Sequence, residues 1–215
     1  MNHRNVLQCY GLCWNFGPFP GLVIPFCENG NILQYLSRHP DVDRVQLLIE
    51  VSAGLQYLHS NDVVHGDLRA CNILIDQQGT PRLSDTGLCY VLSEADFTRI
   101  STGGVCRWTA PEVLLDESIE IPFTSRSDIY AFGMTILEVF TGQIPFHHIR
   151  QDSAVIFAVI GGARPHRSEG QMDDSIWEII ESCWATNPKD RPNASVVHRW
   201  LSCILSQQLF AHPGF

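Results

Sequence analysis

Residues 128–141 are apolar around nearly the whole circumference of a helix, with Ile129, Tyr130, Phe132, Met134, Ile136, Leu137, Val139 and Phe140 facing every direction. A helix with one apolar face lies on a surface, whereas one that is apolar all round is stable in water only when other elements enclose it. The chain must therefore build a central pillar and wrap further helices about it. The longest apolar run, Ile129 to Leu137, is too short to span a bilayer. With 45% hydrophobic residues in a chain of 215, one globular unit with a full core is expected.

Candidate wrapping elements are visible from period and breakers. Leu48, Val51, Leu55 and Leu58 recur at spacings of three and four, which predicts a helix over 43–60 with one apolar face. A short helix is expected over 32–37, and Ser175-Ile176-Trp177-Glu178 reads as a capping box opening another. Pro188 to Pro192 breaks the chain before a last helix carrying Val196, Val197, Trp200, Leu201 and Ile204. Strand signals cover 6–13 and 22–26, divided by the turn Gly17-Pro18-Phe19-Pro20-Gly21, and a small hairpin is expected from 73–76 and 81–83 across Gln77-Gln78-Gly79-Thr80. No repeat and no linker rich in Gly, Pro or Ser divides the chain. The expected class is α+β, a helical body with a strand-built edge.

Acids outnumber bases by 23 to 14, a formal charge of −9, so no broad basic face is available and nucleic acid is not an expected partner. The N-terminal residues lack the charged-then-apolar run of a secretory signal. The eight cysteines show no C-x-x-C pairing and read as small apolar core residues in a reducing compartment. An intracellular, cytoplasmic protein with no membrane segment is expected.

The chemistry concentrates in Val63-Val64-His65-Gly66-Asp67-Leu68-Arg69-Ala70-Cys71-Asn72, with Asp85-Thr86-Gly87 following thirteen residues after Asn72, and then Ala110-Pro111-Glu112. A single aspartate in a loop is usually a turn or cap residue. Three ordered motifs together resemble a protein kinase, whose catalytic loop reads H-R-D-x-x-x-x-N, whose metal-binding turn reads D-F-G and whose activation segment ends in A-P-E. The resemblance covers nearly the whole chain. It implies a protein-kinase-like fold over 1–207, with 1–27 a remnant of the small lobe and hinge, 28–207 the large helical lobe, and 208–215 a tail.

By that resemblance, Asp67 accepts or orients the proton of a Ser, Thr or Tyr hydroxyl on a protein substrate, while Asn72 and Asp85 hold Mg²⁺ on the phosphates of ATP. Arg69 stands where many members carry a phosphate-contacting Lys, and would neutralise developing charge. Leu22 to Cys27 resembles the fifth strand and hinge, with Ile24 as gatekeeper, Phe26 and Cys27 offering backbone groups to adenine, and Leu74 as the pocket floor. His65 and Gly87 are expected as structural support. Asp128 resembles the buried acid that fixes the catalytic loop through backbone N–H groups, and Arg191 resembles the partner of Glu112, so these two should touch.

Several positions depart from the pattern. Neither a glycine-rich loop nor a third-strand Lys with its helix Glu is found, and Lys189 is the only lysine. His3-Arg4-Asn5-Val6 looks like the lead-in to the family's fourth strand, so the chain is expected to start within the small lobe and to be weak or inactive by itself. Gly66 replaces the Arg that reads a phosphorylated activation segment, which leaves Thr98, Ser101 and Thr102 as ordinary loop residues. Thr86 replaces the Phe of D-F-G. Asp67-Leu68-Arg69-Ala70 and Trp108 to Glu112 look like tyrosine kinases, whereas the hinge and 183–192 suit both groups, so the acceptor stays open. The alternative is a non-catalytic scaffold that binds a protein partner on the exposed small-lobe side.

Overall fold

The computed structural model describes residues 2–15, 21–87, 104–116, 123–167, 170 and 172–211. Helices α1 (Ile32–Arg38), α2 (Arg44–Ser60), α3 (Pro111–Leu114), α4 (Ser125–Thr141), α5 (Asp152–Ile160), α6 (Asp174–Cys183) and α7 (Ala194–Ala211) form the body. Strands β1 (Gly11–Cys13) and β2 (Gly21–Val23) pair antiparallel, as do β3 (Ile73–Ile75) and β4 (Pro81–Leu83).

Helix α4 is the pillar that residues 128–141 predict. Thr124 caps it reciprocally with Ser127, and every residue from Ser127 to Val139 is buried. Each large apolar side chain enclosed this way contributes roughly 1.5–3 kcal/mol relative to exposure. Helix α6 packs so closely against it that a Cβ at Gly133 would lie 2.8 Å from Cys183 Cβ and 3.3 Å from the Ile180 carbonyl. Only glycine permits that approach. Helix α2 is capped by Asp43, which accepts from Val45 N–H at 2.8 Å, and buries Leu48, Val51, Leu55 and Leu58 together. It packs along α7, where Ser52 Oγ meets His198 Nδ1 at 2.9 Å.

The strand expected over 6–13 is shorter than its pattern. Val6 instead bridges Leu83 in parallel, and Leu7 N–H donates to the Leu83 carbonyl at 2.8 Å. Burying Val6 and Leu7 beside β4 outweighs continuing the edge ladder, so β1 is confined to Gly11–Cys13. Strand β2 stops at Val23, two residues before Pro25, which has no N–H for a ladder. Of the turn between them, only Gly21 falls among the described residues. Helix α6 begins at Asp174 with Asp173 as cap and no capping side-chain bond, rather than from a Ser175 box. A carboxylate in the first turn is favoured by the helix dipole. Helix α5, which no periodicity signal announces, buries only Val155 and Val159. Helix α7 continues to Ala211, beyond residue 207.

Cys27, Cys106 and Cys183 are buried as expected of core residues, but Cys9, Cys71 and Cys203 are exposed and Cys89 lies outside the described residues. A thiol is only weakly polar and is tolerated on either side of a surface. Among the described residues no helix is long and apolar enough to cross a membrane.

The β3–β4 turn depends on one carboxylate. Asp76 accepts from Gln78 N–H (3.0 Å), Thr80 N–H (2.9 Å) and Arg82 Nε (2.8 Å). Burial pushes its carboxyl upward, but these bonds and the Arg82 charge together outweigh burial and hold it below its ordinary value. Its contribution is present above the unfolded carboxylate range and lost as pH falls through the depressed folded value. Asp76→Ala is therefore expected to cost about 1–3 kcal/mol at pH 7. The difference from the parent should shrink progressively below about pH 4, measured by urea unfolding at several pH values.

Candidate active site

The loop over residues 65–72 is suspended from α4. Asp128, buried in its first turn, accepts from His65 N–H at 2.8 Å and Gly66 N–H at 2.9 Å, and its Oδ2 lies 2.8 Å from His59 Nε2. Gly66 has φ +79. An L side chain would be strained there, so the glycine in place of the family's Arg removes a cation and relieves the backbone at once. Farther along the loop, Thr135 Oγ1 donates to the Leu68 carbonyl at 3.2 Å.

His65 is fully buried, and desolvation lowers its pKa despite the nearby Asp128, Asp67 and Asp85 charges. Its ring Nδ1 accepts from Asp67 N–H at 3.3 Å, and its carbonyl accepts from Gly87 N–H at 3.1 Å. The loop and the Asp85-Thr86-Gly87 turn are thereby tied at one end. At the other end the Asn72 carbonyl accepts from Ser84 N–H (2.9 Å) and Ser84 Oγ (3.0 Å). Asp85 sits between these two ties with φ +57.

Asn72 is buried, and its Nδ2 donates to both the Asp67 carbonyl (2.8 Å) and Asp67 Oδ2 (2.9 Å). Arg69 Nε stands 3.0 Å from Asp67 Oδ1 as an ion pair. Asp67, Arg69 and Asn72 thus share one focus. Burial raises the Asp85 carboxyl above its ordinary value, and the Asp67 charge adds to the rise against the opposing pull of His65 and Arg69. A hard cation would relieve that cost. With its amide nitrogen engaged by Asp67, Asn72 has its oxygen left for such an ion, where the Cys71 thiol contacts it at 3.3 Å. Asn72 and Asp85 thus offer hard oxygen donors of the kind that suits Mg²⁺. Among the described residues no cluster of three His, Cys, Asp or Glu could hold a metal by itself.

On the hinge side, Cys27 is buried and its carbonyl accepts from Gly30 N–H at 3.1 Å, while Leu74 bridges Asn31 beside it. Ile24 and Phe26 point apolar groups outward, Phe26 to 88% exposure. Lys189 is exposed in the 3₁₀ turn Pro188–Asp190, ahead of α7.

Glu112 and Arg191 meet in a bidentate pair, Nη1–Oε1 2.6 Å and Nη2–Oε2 2.8 Å, with the arginine side chain fully buried. Arg191 also donates to the carbonyls of Ala185 (2.9 Å) and Arg126 (3.0 Å) and lies 5.1 Å from the Tyr130 ring centre. Burial pushes the Tyr130 phenol up to about 12.

Three further side chains shape the site from outside the motifs. His59 completes the Asp128 cluster. Arg107 is buried and donates to the carbonyls of Pro145, Phe146 and Ile149 and to Asp152. Glu138 accepts from Ala70 and Trp108. A second acid inside the apolar helix, besides Asp128, was the available signal for Glu138, whereas nothing local in sequence marks Arg107.

A loop and a carboxylate turn tied to a buried helix, together with a buried glutamate–arginine pair, make up a lobe of the protein-kinase type. The chain belongs to the protein tyrosine and serine/threonine kinase family, whose sequence model matches residues 1–201. It is similar to the serine/threonine-protein kinase STY17 of Arabidopsis thaliana, 29% identical over 96% of this chain and 36% of that one. Similarity extends to the tyrosine-protein kinase TXK of Homo sapiens, 32% identical over 89% and 36% of the two chains. A third relative is the inactive tyrosine-protein kinase 7 of Mus musculus, 31% identical over 92% and 19%. The chain spans about a third or less of the length of these relatives.

Proposed function

We propose that this chain is the catalytic lobe of a protein kinase that moves the γ-phosphoryl group of ATP, with Mg²⁺, to a Ser, Thr or Tyr hydroxyl of a protein. The observation that carries the reading is the pair of hydrogen bonds that Asn72 Nδ2 donates to the backbone carbonyl and carboxylate of Asp67. It fixes a carboxylate oxygen beside an amide whose oxygen has a weak thiol donor, Cys71 Sγ at 3.3 Å, as partner, a pairing suited to orienting an acceptor hydroxyl next to a chelated phosphate. Transfer of this kind asks the protein mainly for position and electrostatics. Asp67 takes the hydroxyl proton as the acceptor oxygen bonds to the γ-phosphorus, while the bond from that phosphorus to the β–γ bridging oxygen breaks and ADP leaves. Arg69, paired with Asp67, holds that carboxylate and faces the negative charge of the transferring group. Asn72 and Asp85 would hold Mg²⁺, which when bound offsets phosphate charge. Ile24, Phe26, Cys27 and Leu74 would line the adenine site.

The test is Mg-ATP-dependent labelling of a generic protein such as casein by the purified chain, with magnesium chelation as control. Slow labelling that chelation abolishes is expected, and Asp85→Asn should raise the magnesium needed. A folded, monodisperse chain that transfers no phosphate would end the catalytic reading. That result favours the scaffold alternative, whose basis is the solvent-facing Tyr10, Leu12, Trp14 and Phe26 around β1 and β2.

A further inference from the structure

Glu138 is a buried acid for which the transfer scheme has no use. It is 4% exposed in an otherwise apolar stretch of α4, and a carboxylate held there without bonds would be costly. One atom, Oε2, accepts from both Ala70 N–H and Trp108 Nε1–H, each at 3.0 Å. Burial raises its carboxyl above the ordinary value, with the two bonds and the Arg69 charge opposing.

These partners come from two separate segments of the chain. Ala70 opens the 3₁₀ turn between Arg69 and Asn72, while Trp108 follows the Val105–Arg107 turn ahead of α3. The Arg69 guanidinium stands 5.9 Å from the Trp108 ring centre and pairs with Asp67 at 3.0 Å. A closed circuit results, running from Glu138 through Ala70 to Arg69 and back through the indole. Asp67 and Trp108 also line one small cleft, of about 20 Å³, together with Leu68, Val105 and Thr109.

We propose that Glu138 is a positioning residue: by holding Ala70 and the Trp108 indole on one oxygen, it aims Arg69 and the Asp67 carboxylate at the acceptor hydroxyl. It acts on turnover and leaves nucleotide affinity alone. The proposal rests on the kinase reading above, but part of its test does not.

Kinetics and amide hydrogen exchange are measured on the whole chain and on Glu138→Gln, Glu138→Ala and Trp108→Phe. The glutamine oxygen can accept both bonds, so Glu138→Gln should keep kcat within about threefold. Glu138→Ala and Trp108→Phe should lower kcat about 10–100-fold, with KM for ATP changed by no more than about twofold. Exchange at Ala70 should quicken at least about tenfold in Glu138→Ala while α7 stays protected. Should Glu138→Ala fail to fold, the indole variant carries the test, through kcat and through exchange in the catalytic loop. Unchanged kcat and unchanged loop exchange in a folded variant would overturn the proposal. So would a loss confined to KM for ATP, or glutamine as damaging as alanine. If the parent transfers no phosphate, the kinase reading fails instead, and the exchange data alone decide whether Glu138 sets the loop.

Discussion

Asp67→Asn is expected to lower the phosphoryl-transfer rate by about 10²–10⁴-fold, the range spanned by general-base groups, while leaving the fold intact. The carboxylate is linked to Asn72 and Arg69 but keeps its side chain 29% exposed, so little stability depends on its charge. Asparagine retains an oxygen that can face the Asn72 amide, yet it cannot take a proton from the acceptor. The rate should therefore fall in kcat, with KM for ATP and the melting midpoint nearly unchanged. Equal labelling by the variant and the parent would remove Asp67 from the chemistry.

The second large effect concerns the fold. Glu112→Ala leaves the Arg191 guanidinium fully buried and short of its two charge-assisted bonds. The carbonyls of Ala185 and Arg126 and the Tyr130 ring remain as partners, but none of them carries a negative charge. Breaking a buried pair from one side costs about 3–5 kcal/mol, a large share of the roughly 5–15 kcal/mol typical of a domain. Urea unfolding should show that loss in the midpoint at a similar slope. Replacing both partners, as in Glu112→Leu with Arg191→Met, should cost clearly less than the single change, because no stranded charge remains. A cost below about 1 kcal/mol for Glu112→Ala would mean that water reaches the arginine.

What could be read in advance depended on whether the information was local. The pillar helix was legible because its burial is written into consecutive side chains, and α2 because its apolar period is regular. Asp67, Asn72 and Asp85 were legible as an ordered motif, and the structure supplies what order lacks: the Asn72 carbonyl bonded to Ser84 and the His65 carbonyl bonded to Gly87. The Glu112–Arg191 contact joins residues 79 apart, and only the family resemblance, not spacing, linked them. Where long-range packing competes with a local pattern, the pattern fails. Val6 and Leu7 fit a strand with residues 8–13, but they turn inward to Leu83 instead. His59 looked like any polar residue at a helix end until Asp128 came within 2.8 Å of it. Arg107 satisfies carbonyls from a separate loop, a pairing that no spacing rule encodes.

Asp128 and Glu138 occupy the same rigid rod, ten residues apart, so at 1.5 Å of rise per residue the rod acts as a ruler of about 15 Å between the outermost of its attachments to the loop. The attachment depends on count as well as identity. One residue inserted between them would swing Glu138 by about 100° round the axis, detaching Ala70 and Trp108 while His65 and Gly66 stayed fastened. A lineage carrying this lobe can therefore exchange side chains along the rod far more freely than it can change the number of residues in it.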